Sequence, residues 1–183
     1  MKKLFNVKLD VKAMAYLSMF IALEIVLNRL FNLFPGQPQG GNISMDLLPI
    51  IMAGYLMGSG YGLLAGFMVC ILHFVLGFAS FYGPWSVVLD YLIPLSIVGI
   101  ASLFKNIKVG KYEIYTGIIV TMILKFISHY LSGAWLFAEY APEGMNPWIY
   151  SFGYNIAYCL PSLVLCYIGF VYVYPRLKRV FHK

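Results

Sequence analysis

The chain has 183 residues, of which 61% are hydrophobic and 11% are charged, whereas about a quarter of the residues of a soluble domain are charged. This composition excludes an ordinary soluble domain and predicts an integral membrane protein that contacts the lipid bilayer. The net charge of +6 comes from basic clusters that flank apolar stretches, which indicates membrane topology and no nucleic-acid partner. The three cysteines lie singly in apolar stretches, so we expect neither a metal site nor a cofactor.

The apolar stretches predict an all-α, polytopic membrane protein with six transmembrane helices in one domain that covers residues 1–183. In chain order, the predicted helices cover about residues 11–34, 45–57, 61–82, 84–104, 112–137 and 147–174. The second stretch has only eleven residues, Leu47 to Met57, before Gly58-Ser59-Gly60, which is too short to span a membrane alone. We therefore expect this helix to be short or tilted, or to pack inside the bundle.

Three clusters hold most of the basic residues and predict the orientation in the membrane. They lie before the first helix, between the fourth and fifth, and at the C-terminus: Lys2, Lys3, Lys8, Lys12, Lys105, Lys108, Lys111, Arg176, Lys178, Arg179 and Lys183. Six spans put all three clusters on one side, which the positive-inside rule makes cytoplasmic, so both termini are expected in the cytoplasm. Loops 35–44, 79–83 and 138–148 then face outward. The first of them, rich in Gly and Pro, is either a lid over an outer pocket or only a connector.

Asp90 is the only charged residue between Asp46 and Lys105, and a lone carboxylate in a membrane segment indicates a functional site. Counting 1.5 Å per residue from the predicted outer helix ends places Asp90 about 9 Å deep, and His129 and Asn155 about 12 Å deep. Aromatic residues occupy the same level: Trp85, Tyr91, Trp135, Phe137, Trp148, Tyr150 and Tyr154. A carboxylate among aromatic walls suits a cationic, ring-shaped ligand.

The same residues also allow structural interpretations. Asp90 could pair with Lys125 or with His129, and Asn155 could join two helices by hydrogen bonds. Lys125, four residues before His129 on the same helix face, could neutralise either Asp90 or Glu24. The tryptophans could form an interfacial aromatic belt. Structural roles are likewise expected for a further set in the first and third helices: Glu24, Asn28, Arg29 and His73.

Several sequence motifs are absent, and their absence reduces the number of functional classes to consider. The chain has no GxxxxGK[ST] and therefore no ATP-binding loop of its own, and HExxH and GxSxG are missing as well. Six short spans are few for an autonomous secondary transporter. We expect a binding subunit without enzymatic activity that takes its energy from partner proteins. An intramembrane hydrolase that uses Ser86, and a structural membrane protein, stay as alternatives.

Several runs resemble the thiamin-specific substrate-binding (S) components of energy-coupling factor (ECF) transporters. They are Gly40-Gly41-Asn42-Ile43-Ser44-Met45-Asp46-Leu47-Leu48-Pro49-Ile50, Leu89-Asp90-Tyr91, and the stretches 126–133, 140–151 and 154–161. The likeness covers about residues 13–175. It is most specific over 126–161, where the spacing from His129 to Tyr150 to Asn155 matches the family.

The resemblance implies a six-helix fold in a prokaryotic plasma membrane, a thiamin pocket near the outer face, and a coupling module of two ATPases and a transmembrane scaffold. It implies that thiamin is bound by Asp90, Tyr91, His129, Phe137, Tyr150 and Asn155, with Trp135 as the alternative to Phe137. A partial small-residue motif in the first helix would contact the scaffold: Ala15, Ser18 and Ala22.

Two residues depart from the family pattern. Phe137 stands where some relatives have Trp, and Phe34 is the aromatic residue of the first outer loop, where the family pattern has Trp. An S component for another vitamin, such as riboflavin or folate, therefore stays open as an alternative.

Overall fold

Six longer helices, two single-turn 3-10 helices (Ala101–Leu103 and Ala138–Tyr140) and one short hairpin lie in the part of the chain that the computed structural model describes, residues 7–32, 36–110 and 112–181. The helices are α1 (Val11–Phe31), α2 (Leu48–Leu56), α3 (Ser59–Val75), α4 (Pro84–Val98), α5 (Thr116–Trp135) and α6 (Pro147–Phe181). The antiparallel hairpin consists of β1 (Ile107–Val109) and β2 (Tyr112–Ile114), with Lys108 opposite Glu113. The prediction of a mainly helical protein is confirmed, whereas the sequence did not predict the hairpin.

The helix bounds differ from the predicted ones mainly at their ends. Helix α3 ends at Val75 and not near 82, and β2 occupies the first residues of the predicted fifth helix. Helix α6 continues through Pro161 and Pro175 to Phe181, seven residues beyond its predicted end. Some predicted features lie outside the described residues: the end of the first helix at 33–34 with Phe34, and the basic residues Lys2, Lys3, Lys111 and Lys183.

Three helices, α1, α5 and α6, are long and apolar enough to cross a membrane, and α3 and α4 are shorter apolar helices. The nine-residue α2 is almost completely buried, and Ile50, Ile51 and Ala53 have no exposed surface. A nine-residue helix is too short to cross the hydrocarbon core of a bilayer. Its apolar surface is covered by neighbouring helices instead of by lipid. Of the alternatives that the sequence left open for this helix, the structure shows a short helix packed inside the bundle.

Glycines bring the backbones of α2, α3 and the end of α4 into direct contact. A Cβ atom on Gly62 would lie 2.1 Å from the carbonyl oxygen of Gly99, and a Cβ on Gly99 would lie 2.1 Å from that of Gly62. Gly54 of α2 approaches the same Gly99 carbonyl equally closely. Small residues permit this close packing, which stabilises helix pairs where lipid provides no hydrophobic driving force.

The described members of the three basic clusters gather at one end of the bundle. At this end the backbone N–H of Lys8 donates to the Tyr61 hydroxyl at the start of α3, and the Phe181 ring at the end of α6 packs on Tyr16 of α1 at 4.4 Å. The hairpin lies here too, since Tyr115 directly after it packs on Tyr174 of α6. The basic end therefore contains the described members of all three clusters: Lys8, Lys12, Lys105, Lys108, Arg176, Lys178 and Arg179.

We predict that Gly62→Ala destabilises the protein by about 1–3 kcal/mol, because the new methyl group must push α3 away from the Gly99 carbonyl. Thermal unfolding in detergent measures the effect. Gly153→Ala in α6 is the matched control, since a Cβ there meets nothing within 4 Å. Equal unfolding temperatures for the two variants would contradict the packing argument.

Candidate functional site

A cavity of about 620 Å³ opens at the end of the bundle opposite the basic end. Its wall is formed by the end of α1, the loop before α2, the end of α3, the middle of α4, the second half of α5 and the start of α6. The volume lies within the range of about 300–1,000 Å³ that is typical of small-molecule sites.

Six of the seven predicted ligand-binding residues line this cavity: Asp90, Tyr91, His129, Phe137, Tyr150 and Asn155. The seventh, Trp135, is not part of the wall; it is 60% exposed and packs on Trp85 with the ring centroids 5.8 Å apart. Helix α5 ends at Trp135, so the chain leaves helical geometry before Phe137 and the two aromatic residues point to different sides. Phe137 follows the end of α5, and its ring contacts those of Tyr82 and Tyr140.

Asp90 lies in a π-helical section of α4, Val87–Leu92, in which the Ile93 N–H donates to the Val88 carbonyl five residues earlier. Pro94 contributes to this departure from α-helical geometry, because proline has no N–H to donate to the Asp90 carbonyl and its ring would crowd that group. π-helical turns are rare and occur frequently at functional sites. The section places Asp90 and Tyr91 together at the cavity wall.

Helix α5 supplies the polar partners of Asp90. His129 Nδ1 lies 3.3 Å from Asp90 Oδ1, and the Ser132 hydroxyl donates to Oδ2 at 2.7 Å. The Ser128 hydroxyl donates to the Leu89 carbonyl at 2.6 Å, which fixes the adjacent backbone. The Asp90 side chain keeps 20% of its surface exposed, so the carboxylate remains accessible from the cavity.

Lys125 lines the cavity but contacts neither of the acids proposed for it. Its Nζ atom lies 3.7 Å from Cys159 Sγ and 5.4 Å from the centre of the Tyr158 ring, a cation–π contact. Within the described residues the carboxylates that lie within 4 Å of a basic side chain are Asp90, beside His129, and Glu24, beside His73, so Asp90 contacts a histidine and not Lys125.

Asn155 uses its side-chain amide to join α5 and α6. Its Nδ2 donates to the Ser151 carbonyl at 2.9 Å and approaches the His129 carbonyl at 3.4 Å, while its Oδ1 accepts from the Tyr158 hydroxyl at 2.7 Å. Asn155 is buried with these partners, which is the interhelical role that the sequence left open. It therefore positions His129 and Tyr158 at the wall.

The loop before α2 forms one side of the cavity and is more than a connector. The Gly41 N–H donates to the Tyr154 hydroxyl at 2.9 Å, and the Tyr150 hydroxyl lies 3.5 Å from Gln39 Oε1. A Cβ on Gly41 would lie 2.7 Å from the Tyr158 ring, so only glycine fits this approach. The loop is thereby held against the start of α6.

Sequence reasoning assigned no role to Ser132 or Asp46, which the structure places at or behind the wall, and it gave His73 a structural role without naming its partner. Ser132 is three residues after His129 on one face of α5, and that spacing would have identified it. Asp46 accepts from Asn28 Nδ2 at 2.8 Å, and His73 contacts Glu24, so the polar residues of α1 have their partners on other segments. These contacts join residues far apart in sequence, so no local spacing indicates them.

Ser86, the hydrolase candidate, is occupied at the start of α4. Its hydroxyl donates to the Gly83 carbonyl at 2.9 Å and accepts from the Tyr82 N–H at 3.1 Å. The residue is buried and does not belong to the cavity wall. Nothing in this arrangement exposes Ser86 as a nucleophile.

The charged side chains of the described wall are two carboxylates, Asp46 and Asp90, and one ammonium, Lys125. Among the same described residues, no group of three or more His, Cys, Asp or Glu could hold a metal ion. The excess negative charge and the aromatic rings together favour an organic cation.

Comparisons with known proteins agree in one family. A sequence model of the family described as "Thiamine transporter protein (Thia_YuaJ)" matches residues 14–182. The thiamine transporter ThiT of Bacillus subtilis is 27% identical over 176 residues, which cover 89% of this chain and 92% of the relative. ThiT of Lacticaseibacillus paracasei is 29% identical over 137 residues, which cover 67% of this chain and 68% of the relative.

A solved structure shares the fold. ThiT from Listeria monocytogenes superposes with a TM-score of 0.76 at 18% sequence identity. The match covers 93% of this chain and 97% of that chain.

We predict that Asn155→Ala lowers the stability by about 1–3 kcal/mol, because the buried Tyr158 hydroxyl loses its acceptor. Tyr158→Phe should cost less, and the double variant should unfold near the temperature of Asn155→Ala alone. Thermal unfolding in detergent tests this. Fully additive losses would show that the two residues act independently.

Proposed function

Because the chain belongs to the thiamine transporter protein family, which confirms the resemblance found in its sequence, we propose that it is a thiamin-binding S component of an ECF transporter. In this function it binds thiamin with high affinity at the outer face of the plasma membrane as a single domain. A separate module of two ATPases and a transmembrane scaffold supplies the energy for uptake.

The accessible carboxylate of Asp90 carries this proposal. Its partners are an imidazole and a hydroxyl, so no lysine or arginine among the described residues neutralises it. Thiamin has a permanently cationic thiazolium ring and an aminopyrimidine ring with an exocyclic amine. A carboxylate can pair with the first or accept hydrogen bonds from the second, and aromatic walls strengthen the attraction of the cation.

We assign the remaining roles from the positions at the wall. The His129 and Phe137 rings flank the rings of the ligand, and Tyr150 fixes its orientation. The Tyr91 hydroxyl accepts from the Ser80 N–H at 3.0 Å, so its own proton is available to the ligand. Asn155 acts through His129 and Tyr158, since protein groups occupy its amide.

The orientation in the membrane follows from the two ends of the bundle. The basic end is placed in the cytoplasm by the positive-inside rule, and the cavity then faces outward. Both termini are cytoplasmic in this arrangement. Thiamin would therefore enter the cavity from outside the cell.

The exposed face of α1 is the proposed docking surface for the scaffold. Ala15, Ser18 and Ala22 are all exposed, on the side of α1 away from the buried Leu17 and Phe20. Spacings of three and four residues align them in one stripe, and their small side chains allow a second helix to approach closely.

We predict that Asp90→Asn weakens thiamin binding at least tenfold, about 1.4 kcal/mol, because the amide keeps the shape but removes the charge. Isothermal titration of the purified protein measures the affinity. Glu143→Gln, which removes an exposed acid from the outer loop, is the control and should bind as the wild type does. An unchanged affinity of Asp90→Asn would refute the assignment of the carboxylate. Titration with riboflavin and folate tests the vitamin itself.

Phe137→Ala should lower the affinity for thiamin roughly tenfold through loss of ring stacking. Trp135→Ala should change it by less than about twofold, since that ring packs on Trp85 outside the wall. Quenching of tryptophan fluorescence is unsuitable for the second variant, so both affinities are measured by titration calorimetry. A larger loss in Trp135→Ala than in Phe137→Ala would reverse the two assignments.

A further inference from the structure

The hairpin at the basic end of the bundle has no role in thiamin binding, and its two faces differ in character. Opposed residues of an antiparallel pair project to the same face, and successive residues of a strand alternate between faces. The pairing register therefore puts one opposed pair of charged residues, Lys108 and Glu113, on one face. The other surface, the apolar hairpin face, carries four apolar residues: Ile107, Val109, Tyr112 and Ile114.

The charged face of the hairpin is turned toward the bundle. The Glu113 carboxylate accepts from Asn106 Nδ2 at 3.0 Å and from the Tyr115 hydroxyl at 3.4 Å. Both of these partners contact Tyr55 of α2. Its hydroxyl lies 3.5 Å from Asn106 Oδ1, and its ring packs edge-on against the Tyr115 ring at 5.8 Å. The apolar hairpin face therefore points away from α2, which reverses the usual arrangement of apolar groups inside.

The first strand leaves much of the apolar hairpin face uncovered by the part of the chain that the structure describes. Ile107 is 53% exposed and Val109 is 55% exposed. Clustered apolar side chains at a protein surface mark a site that contacts a membrane or another protein.

The base of the hairpin lies where α5 begins. The Thr116 hydroxyl donates to the Lys105 carbonyl at 2.8 Å, which holds the chain before β1 against the first residue of a helix long enough to cross a membrane. Strands of three residues reach only about 10 Å. The headgroup layer on each side of a bilayer is about 5–8 Å thick, so the hairpin stays close to the lipid.

The charge of this segment is complementary to an anionic lipid surface. Residues 105–111 contain three lysines and no acidic residue. Lys105 and Lys108 are exposed, and a lysine can lay its stem along apolar surface while its ammonium group reaches a phosphate. Apolar side chains flanked by lysines are typical of segments that lie in the membrane interface.

We propose that the apolar hairpin face docks on the cytoplasmic leaflet of the membrane. Ile107 and Val109 enter the boundary between headgroups and acyl chains, and Lys105 and Lys108 bind the phosphates of anionic phospholipids. This inference uses the orientation given above but does not depend on thiamin binding. Because Glu113 is connected to Tyr55, the docked hairpin also fixes the level of α2 relative to the membrane surface.

The experiment measures how strongly lipids with brominated acyl chains quench a bimane fluorophore on an introduced cysteine. Val109→Cys reports on the apolar hairpin face, and Lys108→Cys, one residue away, reports on the charged face. The full chain is placed in vesicles of equal parts phosphatidylglycerol and phosphatidylcholine. The parent protein gives the background labelling, since its own cysteines are buried: Cys70, Cys159 and Cys166. The label at position 109 should be quenched about twice as strongly as the label at 108, or more.

The outcomes separate lipid docking from the alternatives. Equal quenching at the two positions, or stronger quenching at 108, would overturn the proposed orientation of the face. Quenching at neither position would overturn lipid docking and leave the face to a protein partner. Ile107→Cys is a second probe of the same face and should match Val109→Cys. Thermal unfolding in detergent identifies the labelled variants that keep the fold.

The role of the lysines is tested by a double variant, Lys105→Gln with Lys108→Gln, which keeps the Lys105 carbonyl that binds Thr116. The loss of two charges should reduce the quenching at position 109 by about half in the same vesicles. Lys178→Gln with Arg179→Gln removes two charges from the end of α6 and should leave this quenching unchanged. Equal reductions in the two double variants would contradict binding of phosphates at the hairpin. So would equal quenching of the parent label in vesicles of phosphatidylcholine alone.

Discussion

The need to satisfy the Asp90 carboxylate away from bulk water determines how α4, α5 and α6 are arranged. An uncompensated charge in a membrane segment is costly, and α5 offsets that cost with the imidazole of His129 and the hydroxyl of Ser132. Since Ser128 binds the neighbouring Leu89 carbonyl, the register between α4 and α5 is fixed at the same place. Asn155 then connects the His129 backbone to α6, so one acid organises three helices around the cavity.

The helices pack closely at the glycine contacts and are further apart around the cavity. Gly54, Gly62 and Gly99 let α2, α3 and the end of α4 touch through their backbones, whereas bulky aromatic and polar side chains separate the helices at the cavity. The sequence predicted the helices, because apolar stretches are a strong signal for membrane segments. It did not reveal which glycines are in contact, because those contacts join residues tens of positions apart. It also did not predict the hairpin, whose strands have only three residues each.

The level of a residue along the bundle could be predicted from the sequence, but its direction and partners could not. The rise of a helix is constant, so counting from the helix ends put Asp90, His129 and Asn155 at one level, and the structure brings them together. The side to which Phe137 points relative to Trp135 depends on where α5 stops, and helix ends are the least certain feature of a sequence prediction. The contact of His73 with α1 depends on how two helices cross, which only the folded chain specifies.

The charges of the cavity also explain why Lys125 does not cancel Asp90. Lys125 lies over the Tyr158 ring and beside Cys159, where its ammonium is stabilised without using up a carboxylate. Among the described residues of the wall, Asp46 and Asp90 then outnumber it by one negative charge. Excess charge on a partly buried wall is unfavourable, and the proposed ligand with a single positive charge would offset it. A neutral or anionic ligand of the same shape would leave or increase the imbalance, so the charge of the wall supports the proposed preference for a monocation.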